Sequence, residues 1–116
     1  MLYRVAGAIV LAEKDLSLTV LFDIYGGLLS DSEKDAFEYY YCDDLSLSEI
    51  AENTGWSRQG ARDNILRAEK ALRLFEQRLG LKEKFDEIEA SLSLARAALG
   101  SGDAEKAMAL IESIKL

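Results

Sequence analysis

The absence of proline from all 116 residues is the feature that most constrains how this chain folds. Proline breaks the interior of a helix, so a chain without it can form long, uninterrupted helices. Apolar residues also recur at three- and four-residue steps along most of the chain, which is the period of an amphipathic helix. These two features predict an all-α protein.

Three segments are predicted from these patterns. Residues 1–15 form an N-terminal extension, residues 16–80 a helical domain, and residues 81–116 a helical hairpin used for packing or for dimerisation. With 49% hydrophobic residues the chain can build a core, and its length fits one domain with at most an appendage.

The first segment contains eight consecutive apolar residues, 5–12 (VAGAIVLA). A membrane-spanning helix needs about 20 such residues, and a signal peptide would show a basic start and a small-residue cleavage site. We therefore expect the start of a helix or a poorly ordered extension, and a cytoplasmic protein that does not engage a membrane.

Local signals define the helices that follow. Ser30 and Ser46 each precede a glutamate by three residues, which is the capping-box pattern of a helix start. The longest predicted helix runs from Arg58 to about Leu79, and a glycine-containing turn at residues 100–102 precedes a last helix. Its predicted inward residues are Ala104, Ala107, Met108, Ile111 and Ile114.

Two apolar stripes step at 4-3-4-3-4 spacing, which is typical of a seam between helices. The first comprises Ala61, Ile65, Ala68, Leu72, Phe75 and Leu79, and the second Leu81, Phe85, Ile88, Leu92, Ala95 and Leu99. Such stripes serve as the core of one bundle or as a dimer seam. The bundle core is the favoured use of the stripes, a dimer seam is the competing one, and a division with one stripe for each purpose is the third alternative. We expect the protein to be a homodimer.

The composition argues against an enzyme and against a metal site. The chain has no histidine and one cysteine, Cys42, so a zinc site of about four Cys and His ligands is excluded. Cys42 has no histidine to activate it and lies among acids, which predicts a buried structural thiol with a raised pKa. We therefore expect no catalytic residues, no metal and no cofactor.

Charge is distributed unevenly along the chain. The net charge is −7; residues 30–56 carry one basic and eight acidic side chains, whereas residues 57–79 carry six basic and three acidic ones. An acidic protein is a poor general binder of nucleic acid. The basic helix is either a solvated face or the part of the molecule that meets an anionic partner.

Residues 47–62 (LSEIAENTGWSRQGAR) have the spacing of a helix-turn-helix. Gly55 can adopt the left-handed conformation that ends a helix, and Ser57 is a good N-cap for the next one. In a helix-turn-helix the second helix can enter the major groove of DNA.

Residues 47–62 and 65–72 resemble region 4 of bacterial sigma factors. A longer stretch, from about residue 16 to 81, is similar to the YlxM family through residues 21–29 (LFDIYGGLL), 37–41 (FEYYY), 44–51 (DLSLSEIA) and 57–65 (SRQGARDNI). The resemblance implies a small bacterial regulatory protein with a sigma-region-4-like helix-turn-helix bundle. Genes of this family commonly neighbour those of the signal recognition particle GTPases, which implies a role in that pathway.

The sequence departs from the family pattern at three places. The N-terminal extension is unusual, Trp56 replaces a smaller aliphatic residue, and Gly60 lies in the first turn of the second helix. A glycine there costs about 1 kcal/mol relative to alanine.

The candidate DNA-binding residues are Ser57, Arg58, Gln59, Arg62, Arg67 and Lys70. Arginine and glutamine are suited to reading base edges, and a capped helix N-terminus can hold a phosphate. Asp63 lies in the middle of this face and the preceding helices are acidic, so binding by the isolated protein should be weak.

The competing interpretation is an adaptor that binds protein or RNA components of the signal recognition particle. Leu66 and Leu74 lie off the main seam of the basic helix, where they either pack inside the protein or contact a partner. The candidate partner or dimer surface comprises Leu66, Leu74, Phe85, Ile88 and Leu92.

Overall fold

The computed structural model describes the backbone of residues 2–5 and 8–11 and all atoms of residues 14–115. From residue 17 onward helices dominate, which confirms the all-α class. The elements in chain order are β1 (Leu2–Val5), β2 (Ala8–Leu11), α1 (Ser17–Tyr25), α2 (Asp31–Phe37), α3 (Leu47–Thr54), α4 (Arg58–Leu79), α5 (Leu81–Gly100) and α6 (Ala104–Glu112). A 3₁₀ turn, Gly26–Leu28, follows α1, and a π-helical turn, Glu38–Cys42, extends α2.

The expected helix start within residues 5–12 is wrong. Strands β1 and β2 pair antiparallel, with Leu2 opposite Leu11 and Val5 opposite Ala8. Aromatic and β-branched residues such as Tyr3, Val5 and Val10 suit strands better than helices. Residues 1, 6, 7, 12 and 13, which also belong to the N-terminal extension, lie outside the described residues.

The chain divides into two compact units, Met1–Arg78 and Leu79–Leu116. In the first unit α4 contributes to two buried clusters. Ala68 and Leu72 pack with residues of α1 and α2, including Tyr25 and Phe37. Ala61 and Ile65 pack with Ala36 and Ile50 in the second cluster. The seam predicted on α4 is therefore buried at its first four positions, whereas its last residue, Leu79, is exposed.

The predicted capping boxes are confirmed at the starts of α2 and α3. In each box the serine hydroxyl, of Ser30 or Ser46, accepts the N–H of the glutamate three residues on, and that glutamate accepts the serine N–H in return. Asp103 likewise caps α6 by accepting the N–H of Lys106.

The second unit is the predicted antiparallel hairpin of α5 and α6. Its buried residues are three alanines, Ala95, Ala98 and Ala107, with Leu110 packed against them. The expectation that Met108 and Ile111 point inward is wrong: both are exposed, as is Ala104. Helix α6 contacts α5 through Ala107 and Leu110, and Met108 and Ile111 lie about 90° around the helix from these two. Within the described residues, no helix combines the length and apolar character needed to cross a membrane.

Candidate nucleic-acid interface

The turn between α3 and α4 is built by hydrogen bonds from its own residues. Gly55 ends α3 with a φ of 79°, and the Thr54 hydroxyl donates to the Ile50 carbonyl at 2.7 Å while accepting the Trp56 N–H at 3.1 Å. The Ser57 hydroxyl accepts the Gly60 N–H at 2.9 Å and so caps α4. The predicted bend is confirmed, and α3, the turn and α4 form a helix-turn-helix.

A small apolar cluster holds the two helices of this motif together. Ile50 from α3 meets Ala61 and Ile65 from α4, and all three are fully buried. Trp56 is half-buried and packs against the same cluster, so the large side chain that departs from the family pattern adds to this apolar contact.

Gly55 is the residue of the turn at which an added side chain should destabilise the fold, because its φ is positive. We expect Gly55→Ala to lower the free energy of unfolding by about 1–2 kcal/mol, because an L-residue is strained at positive φ. The matched control is Gly27→Ala, since an added Cβ meets nothing within 4 Å there and φ is not positive. Urea titrations followed by Trp56 fluorescence measure both. An equal loss of stability in the two variants would contradict the assignment.

The three acidic residues of α4 are all engaged by neighbouring side chains. Glu69 accepts the hydroxyl of Tyr41, and Glu76 accepts that of Tyr25 at 2.7 Å. Asp63 accepts from Gln59 at 2.9 Å and pairs with Arg62 at 3.3 Å. Sequence reasoning missed the two tyrosine contacts, because their partners are about 30 and 50 residues away along the chain.

The bond to Glu69 also affects Tyr41. Burial, reinforced by the neighbouring Glu69 carboxylate, raises the pKa of Tyr41 well above its usual value. The hydroxyl therefore keeps its proton over the neutral range and goes on donating to Glu69.

The structure separates the six candidate DNA-binding residues into two sets. Ser57 is used as the cap, Gln59 and Arg62 contact Asp63, and the Arg67 guanidinium donates to Asn64 at 2.7 Å. Arg58, Arg67 and Lys70 are exposed, and none of the three makes an ion pair with a residue that the structure describes. Arg67 is nevertheless held by its hydrogen bond to Asn64, whereas the side chains of Arg58 and Lys70 make no hydrogen bond to a described residue. Those two cations are the ones immediately available to an anionic partner.

Arg62 and Arg67 both have partners within α4, but Arg62 is mostly buried whereas Arg67 stays exposed. The Arg62 side chain is only 21% exposed, and within residues 14–115 its Nε atom is buried without a hydrogen-bond partner. Arg67 is bound to Asn64, which is the buried polar residue among the described residues. Asn64 lies among the core positions of α4, which is the signal that could have identified this pair.

A further cation of α4 binds the segment before α1. Arg73 pairs with Asp15 at 3.5 Å, and hydrogen bonds from Ser17, together with Arg73, hold the pKa of Asp15 below its ordinary value. In the same segment Lys14 bonds Asp44 at 2.7 Å and lies 4.4 Å from the centre of the Tyr40 ring. Arg73 therefore has an internal partner, although about half of its side chain stays exposed.

The candidate partner residues differ in exposure. Leu66 is half-buried and Leu74 exposed, and neither belongs to a buried cluster of the first unit. In the second unit Phe85 and Leu92 are exposed and Ile88 is half-buried.

Cys42 is not the buried thiol that its sequence context predicts, since it is free and exposed at the end of the π-helical turn. Partial desolvation and the carboxylates of Glu38, Asp43 and Asp23 raise its pKa, as expected. Among the described residues no group of three Cys, Asp or Glu side chains is placed to hold a metal ion.

Comparison with known proteins identifies the family. Residues 12–111 match the model of the UPF0122 family, helix-turn-helix proteins described as "YlxM / p13 like". The chain is 42% identical to a UPF0122 protein of Shouchella clausii over 104 residues, covering 89% of this chain and 95% of that protein. It is 41% identical to YlxM of Bacillus subtilis, covering 89% and 94% respectively. The chain therefore belongs to the UPF0122 family of YlxM-like helix-turn-helix proteins.

Proposed function

We propose that this chain is a non-catalytic regulatory protein of the cytoplasm that binds DNA weakly through exposed cations of α4, Arg58 at its start and Lys70 past its middle. The pathway we propose for it is that of the signal recognition particle, which the family resemblance implies through gene neighbourhood. Other components of a larger complex would supply the affinity that the isolated protein lacks.

The observation that carries this proposal is the distribution of charge around α4. Its three acids are engaged by Tyr25, Tyr41, Gln59 and Arg62, whereas Arg58 and Lys70 are exposed. An exposed cation without an internal partner contributes most to phosphate binding, because no contact within the protein has to be broken first. Two to four such contacts support weak binding at physiological salt.

Removing the two exposed cations tests this assignment. We expect Arg58→Ala with Lys70→Ala to weaken binding to double-stranded genomic fragments and to reduce the slope of log K against log salt by about two. The matched control is Lys34→Ala with Arg78→Ala, which removes the same charge from exposed positions elsewhere. Fluorescence anisotropy at several salt concentrations measures both variants.

An equal loss of DNA affinity in the two double variants would contradict the proposal. It would show that binding depends on the net charge of the protein and not on the positions of Arg58 and Lys70. Absence of any DNA binding by the unchanged protein at low salt would contradict it as well. In either case the adaptor role becomes the better assignment.

A specific surface favours that second candidate. Leu66, Lys70 and Leu74 are spaced four residues apart on the outward side of α4 and lie outside both buried clusters. An apolar pair beside a cation suits a protein or ribonucleoprotein partner. Co-purification with and without nuclease distinguishes the two functions: particle components that persist after nuclease treatment favour the adaptor, and DNA alone favours the DNA-binding role.

A further inference from the structure

The hairpin of α5 and α6 exposes its large apolar residues and buries small ones. Phe85, Leu92 and Leu99 on α5 are 49%, 43% and 58% exposed, and Met108 and Ile111 on α6 are 56% and 44% exposed. The residues buried between the helices are alanines. A pair of helices that meets through alanines buries little apolar area, so α5 and α6 leave these large apolar side chains uncovered by each other.

These exposed residues form one face. At about 100° per residue, the stripe on α5 lies about 90° around the helix from Ala95 and Ala98, which contact α6. Met108 and Ile111 lie about 90° around α6 from Ala107 and Leu110, which contact α5. Viewed along each helix from its N-terminus, this rotation has the same sense as that of the stripe on α5. Because the two helices run antiparallel, equal rotations carry both stripes to the same side of the hairpin. We call this the hairpin face: Phe85, Leu92, Leu99, Met108 and Ile111.

We propose that the hairpin face binds the same face of a second copy of this chain, so that two hairpins form a four-helix bundle. A two-fold axis parallel to the helices would place α5 of each copy against α6 of the other. Neighbouring helices in such bundles pack nearly antiparallel through apolar stripes. In this arrangement α5 of one copy likewise runs antiparallel to α6 of the other copy.

The charged residues at the edges of the hairpin face favour a second copy of the chain as the partner, and they favour the orientation with α5 against α6. Arg96 flanks the stripe on α5 at its outer edge, and Glu105 and Glu112 flank the stripe on α6 at the opposite edge. Since Ala95 and Ala98 pack with Ala107 and Leu110, Arg96 lies level with the middle of α6, between the two glutamates. All three side chains are exposed, and none makes an ion pair with a described residue of its own chain.

The proposed axis brings unlike charges together. With α5 against α6 of the second copy, each Arg96 lies between Glu105 and Glu112 of the other chain. If α5 instead met α5 and α6 met α6, Arg96 would face Arg96 and Glu105 would face Glu112. Like charges opposite each other weaken an interface, so the charge pattern favours the first arrangement.

Oligomeric state measured by sedimentation equilibrium tests the face itself. We expect the unchanged protein to be dimeric and Leu92→Asp to raise the dissociation constant about tenfold or more, because it buries a carboxylate in the seam. The matched control is Leu94→Asp. Leu94 is 58% exposed and lies two residues away on the other side of the hairpin, so this variant should stay dimeric.

Far-UV circular dichroism shows whether each variant is folded, and a folded, monomeric Leu92→Asp supports the proposal. The proposal is wrong if the unchanged protein is monomeric. It is also wrong if Leu92→Asp and Leu94→Asp weaken the dimer equally.

A charge exchange tests the orientation without disturbing the apolar residues. Arg96→Glu alone, and Glu105→Lys with Glu112→Lys alone, should each raise the dissociation constant about tenfold. An equal mixture of the two variants should form a heterodimer, because each then meets the opposite charge. If Arg96→Glu dimerises as well as or better than the unchanged protein, the α5-on-α6 arrangement is wrong.

Discussion

Phe37→Ala is expected to lower the free energy of unfolding of the first unit by about 3–5 kcal/mol, the usual cost of removing a buried ring. Phe37 is fully buried at the end of α2. Its ring stacks between Phe22 and Tyr41, with centroid separations of 4.5 and 4.2 Å. The change would remove the middle of this stack and leave a cavity next to α1 and α4.

Urea titration followed by Trp56 fluorescence measures this loss, because Trp56 is the single tryptophan and belongs to the first unit. The control is Leu16→Ala, at a side chain that is 68% exposed, where we expect a change within about 0.5 kcal/mol. A loss below about 1.5 kcal/mol for Phe37→Ala would mean that the stack contributes far less than its burial indicates.

Ile50→Ala should destabilise the same unit by about 2–5 kcal/mol and should also weaken DNA binding. Ile50 is the fully buried residue of α3, and it contacts Ala61 and Ile65 on α4. Without it α3 loses its main attachment to α4, and the turn no longer presents Arg58 in one defined position.

Stability is again measured by urea titration, and binding is measured under conditions where the variant is still folded. Leu28→Ala is the matched control, because it removes a leucine that is 60% exposed. If Ile50→Ala lost stability while its DNA affinity stayed unchanged, α3 would not position the binding helix, and this part of the functional proposal would be wrong.

The helix boundaries were largely predictable from local chemistry. Ser30, Ser46 and Gly55 act within a few residues of themselves, by accepting a nearby N–H or by adopting a left-handed conformation. The start of α4 at Arg58 and its end at Leu79 agree with the sequence prediction for the same reason. The spacing of residues 47–62 predicted the helix-turn-helix, the family resemblance added the likeness to sigma region 4, and the match over residues 12–111 confirmed the family.

The candidate site was less predictable, because its state depends on contacts between distant residues. The sequence places six candidate side chains on or next to α4, but it does not show that Arg67 binds Asn64 or that Asp63 engages both Gln59 and Arg62. It likewise does not show that Tyr25 and Tyr41 engage the acids of α4. Which cations are available followed only from the side-chain contacts.

The burial of apolar residues in the hairpin of α5 and α6 was likewise only partly predictable from the sequence. The stripe containing Phe85 and Leu92 predicts that one side of α5 seeks a partner, because apolar spacing is a property of the helix alone. Whether that partner is α6 depends on how α6 rotates against α5. The structure places Ala107 in the contact and leaves Met108 and Ile111 exposed.

For this protein the sequence by itself determined where the helices after residue 30 begin and end, since caps, glycines and apolar periodicity act over one or two turns of backbone. The tertiary structure alone decided which charges are paired, which apolar stripes are covered and whether Cys42 is buried. These outcomes depend on side chains that are far apart in the chain and meet only when the helices pack.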